Sequence, residues 1–174
     1  MISFEILIKA DRRLGFFDEL EVSDTYRLGS TRISRASSLA FAKVFDPFYF
    51  HINEEAAKRS IFGGLIVSGL QTLSAVHALS IEGGFLCEDS IVCGAGIDEL
   101  RFLRPVRPDD TLSVTTEIME LKPPRGSGGH GIARLKYWVS NQNDELVATF
   151  IDNHVVKLKS NADPLPGTAA SQTA

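Results

Sequence analysis

The 174-residue chain has only two cysteines, and its apolar residues never form a long uninterrupted run. Cys87 and Cys93 allow one disulfide at most, and two reduced thiols in a cytoplasmic domain are the better interpretation. Neither cysteine has a second pair nearby, and the four histidines lie far apart, so no metal site is expected. No apolar segment reaches the roughly 20 residues that span a bilayer, and the N-terminus lacks a secretory signal pattern. We therefore expect a cytoplasmic protein without a membrane partner.

The sequence also lacks a strong excess of charge of either sign. Its 18 Lys and Arg residues against 22 Asp and Glu residues give a net charge of −4. The basic residues are scattered and form no basic stripe, so nucleic acid is not expected as a partner. With 44% hydrophobic and 23% charged residues, the composition is that of a globular chain long enough for one domain.

Three helices are predicted in the first half of the chain. The first covers residues 34–45 with Ser34 as its N-cap, and the second covers residues 53–60 with Asn53 as its N-cap. The third and longest covers residues 65–82 and is apolar on nearly every side. A helix of that kind must be buried on most sides, so another layer of structure is expected to wrap it.

The second half of the chain supplies this layer. Alternating β-branched and aromatic residues, separated by turn sequences, predict strands at residues 94–106, 110–122, 131–142 and 145–159, in addition to one at 26–33. Consecutive strands with short turns predict an antiparallel meander. The fold class is therefore α+β, with a long central helix wrapped by a bent antiparallel β-sheet. We expect a single domain at residues 16–159, a loose N-terminal lead-in at 1–15 and a disordered tail at 160–174.

The segment "DPFYFH" places Asp46 and His51 five positions apart, among aromatic residues. A carboxylate and an imidazole can act together as general acid and base, and the aromatic rings would exclude water from the pair. Taken alone, each residue also has a structural interpretation. An Asp before Pro is a common turn residue, and a lone His in an aromatic segment is often a packing residue.

Several motifs together resemble the MaoC-like dehydratases, the (R)-specific enoyl-CoA hydratases of the hotdog fold. "DPFYFH" is similar to the Asp-x-Asn-Pro-x-His motif of that family at Asp46 and His51, and Phe62, Ile66 and Gly69 follow at the family's spacing. The later segments "RFLRPVRPDDTL" and "VSNQNDELV" are similar to the family's strand turn and hairpin, so the resemblance covers residues 16–159. Phe48 and Tyr49 depart from it, because they stand where the motif has Asn and Pro.

The resemblance implies a hotdog fold and a hydro-lyase that hydrates trans-2-enoyl-CoA thioesters in fatty acid metabolism. Asp46 and His51 would hold the reacting water, and the backbone N–H of Gly69 would stabilise the thioester oxyanion. Substrate contacts are expected from Phe48, Tyr49, Phe50, Phe62, Gly64 and Ser68, although Ser68 also suits a helix cap. The resemblance implies no metal and no cofactor apart from the coenzyme A of the acyl-CoA substrate. It also implies a homodimer with pockets at the subunit interface.

Two other functions remain open on the same scaffold. A hotdog acyl-CoA thioesterase would usually carry its acid on the central helix, and here that segment has no carboxylate before Glu82. A non-catalytic acyl-CoA-binding subunit is the other alternative, since Phe48 replaces the Asn of the motif. Fold alone does not choose among these functions.

Overall fold

The computed structural model describes residues 5–8, 10–126 and 128–161, which contain six strands and four α-helices. The strands are β1 (Glu5–Ile8), β2 (Thr25–Arg32), β3 (Ile91–Phe102), β4 (Thr111–Lys122), β5 (His130–Ser140) and β6 (Leu146–Lys157). The helices are α1 (Arg35–Phe45), α2 (Tyr49–Ile52), α3 (Glu54–Lys58) and α4 (Gly69–Glu82). All strands belong to one antiparallel sheet in the order β1-β2-β4-β5-β6-β3. The α+β prediction is confirmed.

The inner face of the sheet carries the core. Successive side chains of a strand point to opposite faces, and every second residue of β5 is buried. These residues are Gly131, Ala133, Leu135, Tyr137 and Val139. All of them except Gly131 join Ala75, Val76 and Leu79 of α4 in a single hydrophobic cluster, so the central helix lies against this face.

The central helix is covered on one side by its own chain. Leu70 and Ile81 of α4 remain about half exposed, unlike the buried residues that face the sheet. None of the described helices is long and apolar enough to cross a membrane.

The central helix begins at Gly69, four residues later than the sequence predicts. Residues 65–68 run extended, because the Val67 N–H donates to the Val106 carbonyl and the Ile66 N–H donates to the Phe50 carbonyl. These hydrogen bonds come from residues distant in sequence and outweigh the local helical preference. The true N-cap is Ser68, whose side chain accepts a hydrogen bond from the Leu70 N–H.

The two shorter predicted helices are confirmed, with their caps. Ser34 caps α1 by accepting a hydrogen bond from the Ser37 N–H, and Asn53 caps α3 by accepting one from the Ala56 N–H. The second helix is shorter than predicted and ends at Lys58.

Two predictions about the strands are wrong. Residues 1–15 are not simply a loose lead-in, since β1 pairs with β2 through partners such as Glu5 and Arg32. The meander contains β4, β5 and β6 only, because β3 pairs with β6 while β4 pairs with β2. The connection from Leu103 to Asp110 therefore runs from the edge strand β3 past β6 and β5 to the inner strand β4. The expected tail at 160–174 lies almost wholly outside the described residues.

Candidate active site

Asp46 and His51 lie at the junction of two helices. Asp46 is the C-cap of α1, where its N–H donates to the Ala42 carbonyl at 3.0 Å. The chain then turns through Pro47, and α2 places His51 on its buried face, in a one-turn helix rather than the expected loop. As a result, His51 Nε2 lies 3.3 Å from Asp46 Oδ2. The two side chains are therefore in direct contact.

A backbone contact orients the His51 ring. Its Nδ1 lies 2.8 Å from the carbonyl oxygen of Ile66, which can only accept a hydrogen bond. Nδ1 therefore carries a proton, and Nε2 is the nitrogen presented to Asp46. The side chain is only 6% exposed, so packing also fixes the ring.

Ser68 orients the carboxylate from the other side. Its Oγ donates to Asp46 Oδ2 at 2.6 Å and accepts from the Leu70 N–H at 3.2 Å. The carboxylate thereby sits near the N-terminus of α4, where the helix dipole favours negative charge. Asp46 Oδ1 makes no hydrogen bond to any described residue, and the side chain is 18% exposed. One carboxylate oxygen is held by the protein, and the other can accept from a ligand.

Gly69 is the first residue of α4, and its N–H makes no hydrogen bond within the described part of the chain. The first N–H groups of a helix have no partner inside the helix, so they are available to an anionic atom. A Cβ on Gly69 would lie 2.5 Å from Cζ of Phe102, so a side chain at this position requires the ring or the helix start to shift. The glycine lets the Phe102 ring lie directly against the helix start.

A cavity of about 520 Å³ adjoins Asp46, His51 and Gly69. Of the residues expected to contact substrate, Phe48, Phe50 and Phe62 line this cavity. The rings of Phe48 and Phe50 stack with centroids 5.3 Å apart, and Phe62 packs edge-on against Phe50. These three aromatic residues form one wall of the cavity.

The other three expected contacts lie elsewhere. Tyr49 packs against Phe50 from the solvent side, and the Gly64 carbonyl accepts a hydrogen bond from Arg107, so neither lines the cavity. Ser68 is buried beneath Asp46, where it caps α4 as expected and also binds the carboxylate. The structure gives no support to substrate contacts by these three residues.

The opposite wall was not predicted. It is formed by the end of β3 and the segment after it, with one residue of β6: Phe102, Leu103, Arg104, Pro105, Val106 and Val147. The segment "RFLRPVRPDDTL" contains most of these residues and was identified as a strand turn. The motif alone does not show that this turn faces Asp46 and His51.

The same segment holds the aromatic wall in position. Arg107 donates from its guanidinium to the carbonyl oxygens of Phe62, Gly64 and Leu65. Its own N–H donates to Asp110 Oδ2 at 2.7 Å. The turn before residues 65–68 is thus tied to the strand side of the cavity.

Across residues 5–8, 10–126 and 128–161, no three His, Cys, Asp or Glu side chains are grouped so that they could share a metal ion.

A family model described as "MaoC like domain" matches residues 19–136, which include Asp46, His51 and Gly69. The chain belongs to the MaoC-like family. The MaoC-like dehydratase of Rhodospirillum rubrum superimposes with a TM-score of 0.77 at 34% identity, covering 87% of this chain and 100% of that chain. The (R)-hydratase of A. caviae, involved in PHA biosynthesis, gives a TM-score of 0.57 at 28% identity, covering 80% and 98%.

Among curated sequences, YdeM of Bacillus subtilis is 37% identical over 112 residues, which are 64% of this chain and 79% of YdeM. Protein MaoC of Klebsiella aerogenes is 32% identical over 100 residues, which are 57% of this chain but only 29% of that protein. Rv0216 of Mycobacterium tuberculosis, which has a double hotdog fold, gives a TM-score of 0.70 at 17% identity, covering 92% of this chain and 51% of that chain. The comparisons therefore establish the hotdog fold and the MaoC-like family for this chain.

Proposed function

We propose that this MaoC-like protein is an acyl-thioester hydratase/dehydratase. It adds water reversibly to a trans-2-enoyl-CoA or acyl-carrier thioester and yields a 3-hydroxyacyl thioester. The supporting observation is the arrangement of three groups around one cavity: the Asp46 carboxylate, the His51 Nε2 atom and the unbonded Gly69 N–H. We expect the enzyme to act in the cytoplasm on acyl chains of fatty acid metabolism.

The Asp46 and His51 pair suits the activation of one water molecule. Both Asp46 and the Nε2 atom of His51 can accept a hydrogen bond, so a water between them donates one proton to each and directs its oxygen lone pair outward. That oxygen bonds to C3 of the enoyl chain, and the water proton passes to the pair. The pair then delivers a proton to C2. One pair of residues serves both steps on one face of the double bond, which makes the addition syn.

The electrons displaced from the double bond collect on the thioester oxygen. A hydrogen bond from the Gly69 N–H, supported by the α4 dipole, stabilises this enolate. Such a donor contributes about 3 kcal/mol to transition-state stability in other enzymes. In the reverse direction the same groups remove the C2 proton and protonate the leaving hydroxide.

The departure of Phe48 and Tyr49 from the family motif leaves this arrangement intact. Phe48 is about 60% exposed, and neither aromatic side chain makes a hydrogen bond to Asp46 or His51. Phe48 contacts the pair through its backbone only, since its N–H donates to the Asp46 carbonyl and its carbonyl accepts from the His51 N–H. The Ser68 hydroxyl orients the Asp46 carboxylate, and the Ile66 carbonyl orients the His51 ring. The pair is therefore held without the motif Asn.

An assay with a panel of trans-2-enoyl-CoA substrates tests the proposal. Two signals are followed together: the absorbance of the conjugated thioester and the release of free thiol. Loss of absorbance without thiol supports hydration. Thiol release would instead indicate a thioesterase, and neither signal at any chain length would indicate a binding subunit.

We further infer that a second copy of the chain covers the exposed side of α4 and the edge of β3. β3 pairs with β6 along one edge only, and most of its residues are exposed. Apolar side chains cluster on this surface: Val92, Ile97 and Phe102 of β3 with Leu70 and Ile81 of α4, each roughly half exposed. An open, apolar edge strand on a soluble protein calls for a partner strand, and two-fold symmetry lets one copy supply it to the other.

A further inference from the structure

Arg107 is an exposed arginine whose guanidinium binds backbone rather than a carboxylate. Its Nη1 donates to the carbonyl oxygens of Gly64 and Leu65, each at 3.1 Å, and its Nη2 donates to that of Phe62. Within the described part of the chain, this guanidinium pairs with no Asp or Glu side chain. Hydrogen bonds from a charged donor are stronger than those between neutral groups. The side chain therefore clamps residues 62–65.

The turn that carries Arg107 is itself fixed to the sheet. The Arg107 N–H donates to Asp110 Oδ2 at 2.7 Å, and Asp110 Oδ1 accepts from the Gln142 side chain at 2.8 Å. The Gln142 side chain in turn accepts from the Thr111 N–H at the start of β4. Asp110 is only 8% exposed, so this base is mostly buried. The guanidinium thus extends from a rigid base on β4 and the β5–β6 turn.

The clamped segment leads directly into the backbone group that orients His51. The Ile66 carbonyl oxygen lies 2.8 Å from His51 Nδ1, and the next N–H, that of Val67, donates to the Val106 carbonyl at 2.8 Å. A peptide group is planar, so this carbonyl cannot turn unless the neighbouring backbone dihedrals turn with it. Its direction therefore depends on residues 62–65 staying beside residues 106–107.

The direction of the Ile66 carbonyl decides which nitrogen of His51 carries the proton. With the proton on Nδ1, the Nε2 atom can accept a hydrogen bond from a water. With the proton on Nε2, the ring would instead donate to Asp46 Oδ2, which lies 3.3 Å away. The His51 side chain is 6% exposed, so bulk solvent does not replace the carbonyl as the partner of Nδ1.

We propose that Arg107 is a positioning residue for the hydration reaction. By clamping residues 62–65 it keeps the Ile66 carbonyl directed at His51, and this holds the ring in the tautomer whose Nε2 accepts from water. The inference rests on the proposed function, which gives Nε2 that acceptor role. An arginine that only stabilised the loop would change the melting temperature without changing the site of the proton.

Nitrogen-15 NMR of histidine-labelled protein tests the inference without substrate, because a ring nitrogen resonates differently with and without its proton. Spectra are recorded at alkaline pH, where imidazole is neutral, and His51→Gln assigns the signals. We expect wild-type His51 to be protonated on Nδ1 alone and Arg107→Met to show both tautomers. The kcat for enoyl-CoA hydration should fall about tenfold in Arg107→Met. Arg107→Lys keeps a cationic donor and should show a smaller change in both measurements.

Arg32→Met is the matched control. Arg32 binds Asp109 of the same turn at 2.9 Å but makes no hydrogen bond to residues 62–65 within the described structure. This variant should retain the wild-type tautomer and the wild-type kcat. Thermal unfolding verifies that each variant is folded, and Arg107→Lys supplies the comparison if Arg107→Met is not.

Three results would overturn the inference: a wild-type His51 with its proton on Nε2, an Arg107 variant that keeps Nδ1 alone protonated, or the same tautomer change in Arg32→Met. Failure of the proposed function is a different result, namely the absence of hydration by the wild type across the enoyl-CoA panel. The tautomer is measured without substrate, so the two failures are distinguishable.

Discussion

The hydroxyl of Ser68 donates a 2.6 Å hydrogen bond to the carboxylate of Asp46, across 22 residues of sequence. The same hydroxyl caps α4, so the start of the central helix and the orientation of the carboxylate depend on one oxygen atom. Any change in the helix start is thereby transmitted to the acid–base pair.

Ser68→Ala should therefore lower both stability and turnover. Loss of the cap costs about 1 kcal/mol of unfolding free energy. Loss of the hydrogen bond lets Asp46 rotate, and we expect kcat for enoyl-CoA hydration to fall about tenfold or more. Ser34→Ala is the control, because it removes the α1 cap away from the cavity. If both variants lost stability equally and neither lost turnover, Ser68 would be a cap only.

Gly69→Ala should reduce activity through a collision with Phe102. A Cβ at this position would lie 2.5 Å from the ring, so either the ring or the helix start must shift. We expect kcat/KM to drop at least tenfold because the N–H moves away from the thioester oxygen. In the double variant Gly69→Ala, Phe102→Ala the collision is absent, and most of the loss should be recovered. Additive losses in the double variant would show that the two residues do not interact in this way.

The open edge of β3 predicts association in solution. Ile97→Asp places a charge in the centre of the exposed apolar surface and should convert dimers to monomers in sedimentation velocity experiments. Val44→Asp is the matched control, since Val44 is exposed on α1 and lies outside that surface. A wild-type protein that sediments as a monomer at all concentrations would contradict the proposed dimer.

Tyr26 predicts a loss of stability in alkali. Burial, then the nearby Asp24 charge, raises its pKa to about 12, against an ordinary value near 10 in the unfolded chain. As pH rises between these values, the unfolded state loses the proton first, so the free energy of unfolding decreases.

Urea unfolding at pH 9 and pH 11 measures this effect. Tyr26→Phe should show a smaller decrease between the two pH values, whereas Tyr49→Phe, which alters a half-exposed ring, should behave like the wild type. An unchanged decrease in Tyr26→Phe would assign the alkaline loss to other groups.

Local patterns predicted much of the fold. Ser34 and Asn53 were identified as caps because capping depends on neighbours within three residues. Strands β4 and β5 followed from alternation, which reports burial of one face directly. The placement of Asp46 and His51 together was likewise anticipated, since only a short turn separates them.

Features set by distant contacts were not predictable in this way. The helix start at Gly69 depends on Val106 and Phe50, and the position of β3 beside β6 depends on a chain crossing. The placement of Tyr137 and His154 beside one cavity was hidden for the same reason, because the two residues come from different strands. Sequence alternation places such residues inside without showing what they face.

The central claim is that the Asp46 and His51 pair adds water to an enoyl thioester. Its most direct test is the initial rate of absorbance loss from a trans-2-enoyl-CoA with wild-type protein and with Asp46→Asn, a near-isosteric change that removes the base. We predict hydration by the wild type without thiol release, and a rate about 100-fold or more lower in the variant. Equal rates in the two proteins, or thiol release by the wild type, would contradict the claim.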